Sequence, residues 1–511
     1  MGIELTTREI AAEKVYYDGY VEQSIESDIS LPDYCPDIMR ILKCIVTVNI
    51  SASKLIGDRA SADGTAKINV IYSDEKNNIC CYAADYPFSK YAELSAAYDS
   101  AALICTAKTE YVNCRAVSKR RLDVRGVINL HFRVCGTNCG SIITSAQGEG
   151  IQLKRKGTET CSSAAVITKN FSLSEVQDVG EALPGIGKII SASAAPIISE
   201  TKLIKGKLLI KGELAVRVLY CSDSEENESA VLNCCLPFNE IAEASAFSDT
   251  CTADIKLNVV QLTAEPKTDN EGDYRYMNVS AEICAFISAY EPTCVNIITD
   301  AYSTKKELNQ KYELFNLRKI ALQFSDTCVH RQSIDLSSLN PAKIFAVIPS
   351  EISCISTFSD GKMKVSGKIP LSIIVIDGSG VPVSCEREAD FEYSKAIDGD
   401  ISSCSCSPKT ELTGFSLNPG SNGSAEFKAE INISAVVFRS TEEKILTSLS
   451  ISEGSPEKVR KSSLTVYFCS GDESLWEIAR KFNTTVEEIT EENELSTDCP
   501  ESRTMLMIPI K

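Results

Sequence analysis

At 511 residues the chain is too long for one hydrophobic core, which rarely grows past ~250–300 residues, and 43% of it is apolar, enough for several packed domains. It carries 52 basic against 70 acidic residues, a net charge of -18, which argues against generic binding to nucleic acid or anionic membrane. The opening, MGIELTTREIAAEKVYY, lacks the basic start and apolar core of a secretory signal, and no apolar run approaches the ~20 residues that span a bilayer. These features predict a cytoplasmic chain with no transmembrane segment and no nucleic-acid partner.

The first predicted elements belong to a repeat. The stretches SKLIGDRASADGTAKINVIY (53–72), TKLIKGKLLIKGELAVRVLY (201–220) and STFSDGKMKVSGKIPLSIIV (356–375) align on Gly64, Gly212 and Gly367. From each glycine, apolar residues recur at every second position up to Tyr72, Tyr220 and Val375. Period-two alternation marks a strand with one buried face. Upstream of the glycines stand Pro36, Pro184 and Pro341; downstream stand Phe88, Phe238 and Phe391. Each glycine is placed just before its strand, at a turn or bulge needing positive φ or close backbone approach. Later in each copy, residues 122–134, 274–290 and 425–440 alternate again. The fold class is therefore mainly β. Three β-sandwich or barrel-like domains are expected at 1–150, 151–305 and 306–453, the third diverged. Their landmark residues read as turn and core rather than as ligands.

The 22 cysteines do not resolve into a metal site. The neighbours Cys80-Cys81 and Cys234-Cys235 point to opposite faces of a strand, Cys404 and Cys406 have no matching pair, and there is no CxxC. In a reducing compartment they read as free thiols. His131 lies in an alternating strand, and His330 near Cys328 has no third partner. With no phosphate loop and no nucleophile elbow, the expectation is a non-enzyme without metal or cofactor.

A polar linker, 454–462, leads to a last module at 463–511. Leu464, Val466 and Phe468 alternate as a short strand. Asp472 or Ser474 caps a helix whose Leu475, Ile478, Ala479 and Phe482 form one apolar stripe. Asn483-Thr484 breaks it, and Thr485 with Glu488 gives a capping box for a second helix. Met505, Met507 and Ile508 supply a closing strand, so the order is βααβ. From Ser463 to Lys511 there are four basic and ten acidic residues, net -6.

The segment DISLPDYCPDIMRILKCIVTVNI (28–50), the glycine strand and the Pro-Phe pair at 87–88 resemble the SPOCS domain of endospore-forming Firmicutes. The resemblance covers most of 15–453 and is weakest in the third copy, where Val375 replaces tyrosine and Asp390 precedes Phe391. GDESLWEIA (471–479), Phe482, TVEEI (485–489), Asn493 and the terminal LMIP resemble a LysM domain. That likeness implies a peptidoglycan-binding fold for N-acetylglucosamine polymers. Its groove maps to Gly471, Asp472, Glu473, Ser474 and Leu475 facing Asn493, Glu494 and Leu495, with Trp476 beside it. Leu475 reads equally as core, Asn493 equally as a helix cap, and Trp476 as a ring over the module's own surface. SPOCS repeats followed by one LysM resemble the SipL-type spore morphogenesis proteins of clostridia. Such a likeness implies a mother-cell protein at the outer forespore membrane that helps assemble the spore coat. Its LysM binds the spore coat morphogenetic ATPase, and its β-repeats are open to other coat proteins. A peptidoglycan-binding protein of the cortex or wall is the other reading.

Overall fold

A computed structural model describes residues 3–98, 101–222, 228–420, 423–452, 464–469, 473–495 and 505–509. The expected linker at 454–462 lies outside them. Strand dominates, and no helix among the described residues is long and apolar enough to cross a membrane.

One plan recurs three times. In the first unit β1 (Glu4–Ser30) leads into β2 (Arg40–Ile56), β3 (Arg59–Ser73) and β4 (Ile79–Glu93), followed by β5 (Ala102–Ser118) and β6 (Arg121–Gln147). These form two antiparallel sheets, β1-β6-β5 and β2-β3-β4. The second unit repeats this with β7 (Ile151–Asp178), β8 (Ile186–Ile204), β9 (Lys207–Ser222), β10 (Ser229–Glu243), β11 (Thr252–Thr268) and β12 (Tyr274–Ser303). Its sheets are β7-β12-β11 and β8-β9-β10. The third unit begins with β13 (Leu308–Asp335) and splits its next strand into β14 (Pro341–Pro349) and β15 (Ser353–Ser359). It continues through β16 (Lys362–Asp377), β17 (Pro382–Ala396), β18 (Cys404–Ser405), β19 (Lys409–Pro419) and β20 (Ser424–Ile451). Each unit buries its own core between its two sheets. The alternating strand explains it: Ala60, Ala62, Ala66, Ile68, Val70 and Tyr72 all face inward from β3 and are fully buried.

The landmarks pair off, glycine with phenylalanine in all three copies and tyrosine with proline in the first two. Gly64, Gly212 and Gly367 sit within β3, β9 and β16, each directly opposite its phenylalanine, Phe88, Phe238 or Phe391. This corrects the expectation of a turn in front of the strand. The positive-φ turns lie earlier, at Gly57, Gly206 and Asp360-Gly361. What the glycine provides is room. A Cβ on Gly64 would stand 2.4 Å from the Asn49 carbonyl oxygen and 2.6 Å from the Phe88 ring. The strand on the other side bulges there, with Ile50 opposite Gly64 and Ala52 opposite Asp63. The tyrosines pair with the prolines: Tyr72 Oη donates to Pro36 O at 3.2 Å, and Tyr220 Oη to Pro184 O at 3.0 Å. Burial pushes both phenols up, so they stay protonated donors. Val375 leaves the third unit without this bond. Tyr220→Phe is therefore expected to cost ~1 kcal/mol in urea unfolding, and an unchanged midpoint would show that the hydroxyl is idle.

The units close a ring. Ile71, Leu219 and Ile374, each seven residues after its glycine, meet in one buried cluster with Leu42, Ile190 and Ala346. Links run in one sense around it. Asn69 Nδ2 donates to Ile190 O at 3.2 Å, Ser229 Oγ donates to Phe345 O, and Ser384 Oγ donates to Leu42 O at 2.7 Å. Lys343–Glu228 (3.1 Å) and Lys43–Glu386 (2.8 Å) flank two of these joints. Below, the long strands run past their own cores and pack across units through Ile142, Val295, Ile297, Leu317 and Ile445. The result is a pseudo-threefold arrangement inside one chain.

Candidate functional site

The terminal module is built on β21 (Leu464–Phe468), α1 (Leu475–Phe482), α2 (Val486–Glu492) and β22 (Met505–Pro509), with β21 and β22 antiparallel. Ser474 caps α1 and Thr485 caps α2, each through a complete capping box with Glu477 or Glu488. Hydrogen bonds from Ser474 hold the Glu477 carboxyl below its usual range. Asn483 ends α1 in a left-handed conformation, φ 52°. Leu475, Ile478, Ala479, Ile489, Leu506 and Ile508 form the core. Leu464, Val466 and Phe468 face outward, so the inward face of β21 is the other one.

The groove residues separate by role. Gly471 and Asp472 lie outside the described residues. The Glu473 carboxylate accepts from Tyr467 Oη at 2.9 and 2.8 Å. Ser474 is a helix cap, and Leu475 is core, 1% exposed. The Asn493 amide is a clamp: Nδ2 donates to Ile489 O (2.8 Å) and Met507 O (2.7 Å), while Oδ1 accepts from Met507 N (2.7 Å). It ties the end of α2 to β22. Glu494 takes φ 48° in the following turn, and Leu495 packs half-buried on the core.

Trp476 is engaged by the β-body. Its Nε1 donates to Asp300 Oδ2 at 2.8 Å, and its ring meets Tyr302 edge-on, centroids 4.8 Å apart. Arg480 pairs with the same carboxylate oxygen at 2.8 Å. Tyr302 completes the module's core and donates from Oη to Thr484 O at 2.8 Å. Its phenol is pushed up by burial and by the Glu487, Glu488 and Asp300 carboxylates, so it remains a donor. Asp300 and Tyr302 end β12, Asp300 standing 176 residues before Trp476, and no local pattern marked them in the sequence. Among the described residues, no three His, Cys, Asp or Glu side chains are grouped to hold a metal ion.

The comparisons with known proteins fit this geometry. Residues 37–117 and 185–267 match a family model described as SipL, SPOCS domain, and residues 470–509 match a LysM domain. The chain thus carries two SPOCS domains of the SipL type and a C-terminal LysM domain. No curated protein and no solved structure matches it. The two SPOCS segments fall in the first and second units, and the LysM match spans α1, α2 and β22. SPOCS and LysM are non-catalytic domain types. Their combination makes this SPOCS–LysM chain a sporulation-related protein with a module of peptidoglycan-binding type.

Proposed function

We propose that this SPOCS–LysM protein is a non-enzymatic tether in spore coat assembly. It stands in the mother-cell cytoplasm at the outer forespore membrane, and its LysM binds the coat morphogenetic ATPase of the basal layer. The observation that carries the reading is the commitment of Trp476. The one tryptophan, the side chain best suited to stack on a sugar, is bonded to Asp300 and packed on Tyr302. The module's net charge of -6 also suits a basic protein surface better than an anionic wall. The contact face is assigned to Glu473, Ser474, Asn493, Glu494 and Leu495, with Gly471 and Asp472 carried over from the LysM resemblance. The ring of β-units is the scaffold and presents surface to other coat proteins.

The LysM match itself favours the second reading, binding of peptidoglycan at the cortex or wall. The full chain, titrated in parallel with the ATPase and with peptidoglycan fragments, separates the two. Submicromolar binding to the ATPase with none to glycan is the expected outcome. Glycan binding alone would move the protein to the wall and end the tether reading.

A further inference from the structure

At the junction of all three units lies a small cavity of about 170 Å³. His131 and Arg133 reach it from β6, Lys256 and Asn258 from β11, Ser407 from the segment joining β18 to β19, and Lys409 from the start of β19. Four cationic or cationisable side chains thus converge in a protein of net charge -18. Two are already engaged. His131 Nε2 meets Asp18 Oδ1 at 2.6 Å, and Lys409 meets Glu411 at 2.7 Å. The other two are less satisfied. Arg133 Nε is buried without a hydrogen-bond partner, and its nearest carboxylate oxygen, on Asp18, is 3.8 Å away. Lys256 has no carboxylate at ion-pair distance among the described residues. Glu13 and Asp254 act on this cluster only from farther off.

We propose that this cavity is a binding site for a small oxyanion of the phosphate class. Arg133 and Lys256 line the cavity with positive charge that only Asp18, at 3.8 Å from Arg133, partly balances, and a tetrahedral anion would complete that balance. Lys256 would add charge, and Asn258 and Ser407 add amide and hydroxyl donors. The volume suits a single phosphate or the phosphate end of a monoester and falls short of drug-sized pockets of ~300 Å³ or more. Because the donors come from three units, the anion binds only the closed ring and stabilises that closure by mass action. The site is independent of the LysM module and of the tether reading.

The test is thermal unfolding and isothermal titration of the full chain with inorganic phosphate and glycerol phosphate, against chloride at matched ionic strength. Saturable stabilisation by phosphate is expected. Lys256→Ala, which removes no hydrogen bond seen in the fold, should weaken it about tenfold or more. Lys256→Glu should abolish it, and Lys256→Arg should keep it. Glycerol phosphate binding with the same losses also supports the site and identifies a monoester, such as a lipid headgroup, as the source. Stabilisation no greater than chloride's, or stabilisation that survives Lys256→Glu, overturns the proposal.

Discussion

Valine at Gly212 is expected to unfold the second unit. A Cβ there would stand 2.1 Å from the Ile197 carbonyl oxygen and 2.5 Å from the Phe238 ring. Neither neighbour can retreat cheaply. The carbonyl belongs to β8, and Phe238 is buried, with Phe171 at 5.4 Å between centroids. Overpacking alone costs about 1–3 kcal/mol. With a backbone collision added, a loss above ~3 kcal/mol is expected, which places it among the severe substitutions. Hydrogen exchange on the full chain should show β9 and β10 losing protection first, with α1 losing it later if at all. Gly212→Ala carries the same Cβ and should keep most of the damage. If alanine is tolerated within ~0.5 kcal/mol, the glycine is not there for close approach, and the Gly–Phe couple is a coincidence of register.

That couple shows what the sequence could and could not disclose. Period-two alternation located β3, β9 and β16 because one face of each is buried along its length. Both helix caps were legible because capping is local chemistry within four residues. The recurring glycine, phenylalanine, tyrosine and proline could be aligned, but their pairing needed the register between strands 24 to 36 residues apart. The later strands were read too short. β6, β12 and β20 run on to Gln147, Ser303 and Ile451, where they leave their own unit and are buried by others. Once both faces of a strand are covered, alternation fades and the pattern no longer announces a strand.

The third copy's divergence also gains a physical meaning. Exposed Ile56 and Tyr91 at one hairpin tip match exposed Ile204 and Ile241 at the next, while the third carries Ser359 and Ser394. It lacks the tyrosine–proline bond and breaks its second strand between Pro349 and Ser353. It keeps the Gly–Phe couple and the axial Ile374, the features that the core and the ring require.

Asp300→Ala is expected to release the LysM module from the ring. One carboxylate holds Trp476 and Arg480, each at 2.8 Å, and also accepts from Tyr312 Oη at 3.2 Å. Hydrogen bonds to a charged group contribute ~1.5–3 kcal/mol each, so losing two of them should cost several kcal/mol of docking. Alanine leaves the strand itself intact, since Asp300 pairs with Lys154 through the backbone ladder. Trp476 is the one tryptophan in the chain, so its emission reports docking directly. Release should shift it to the red while far-ultraviolet circular dichroism stays constant. Asp300→Asn, which keeps an acceptor but not the charge, should fall between. Unchanged emission would show that Tyr302 alone holds the module. If emission shifts and ATPase binding survives, the ring is a passive carrier. If binding falls with docking, the ring presents the module in one orientation, and Asp300 is a positioning residue for the partner it never touches.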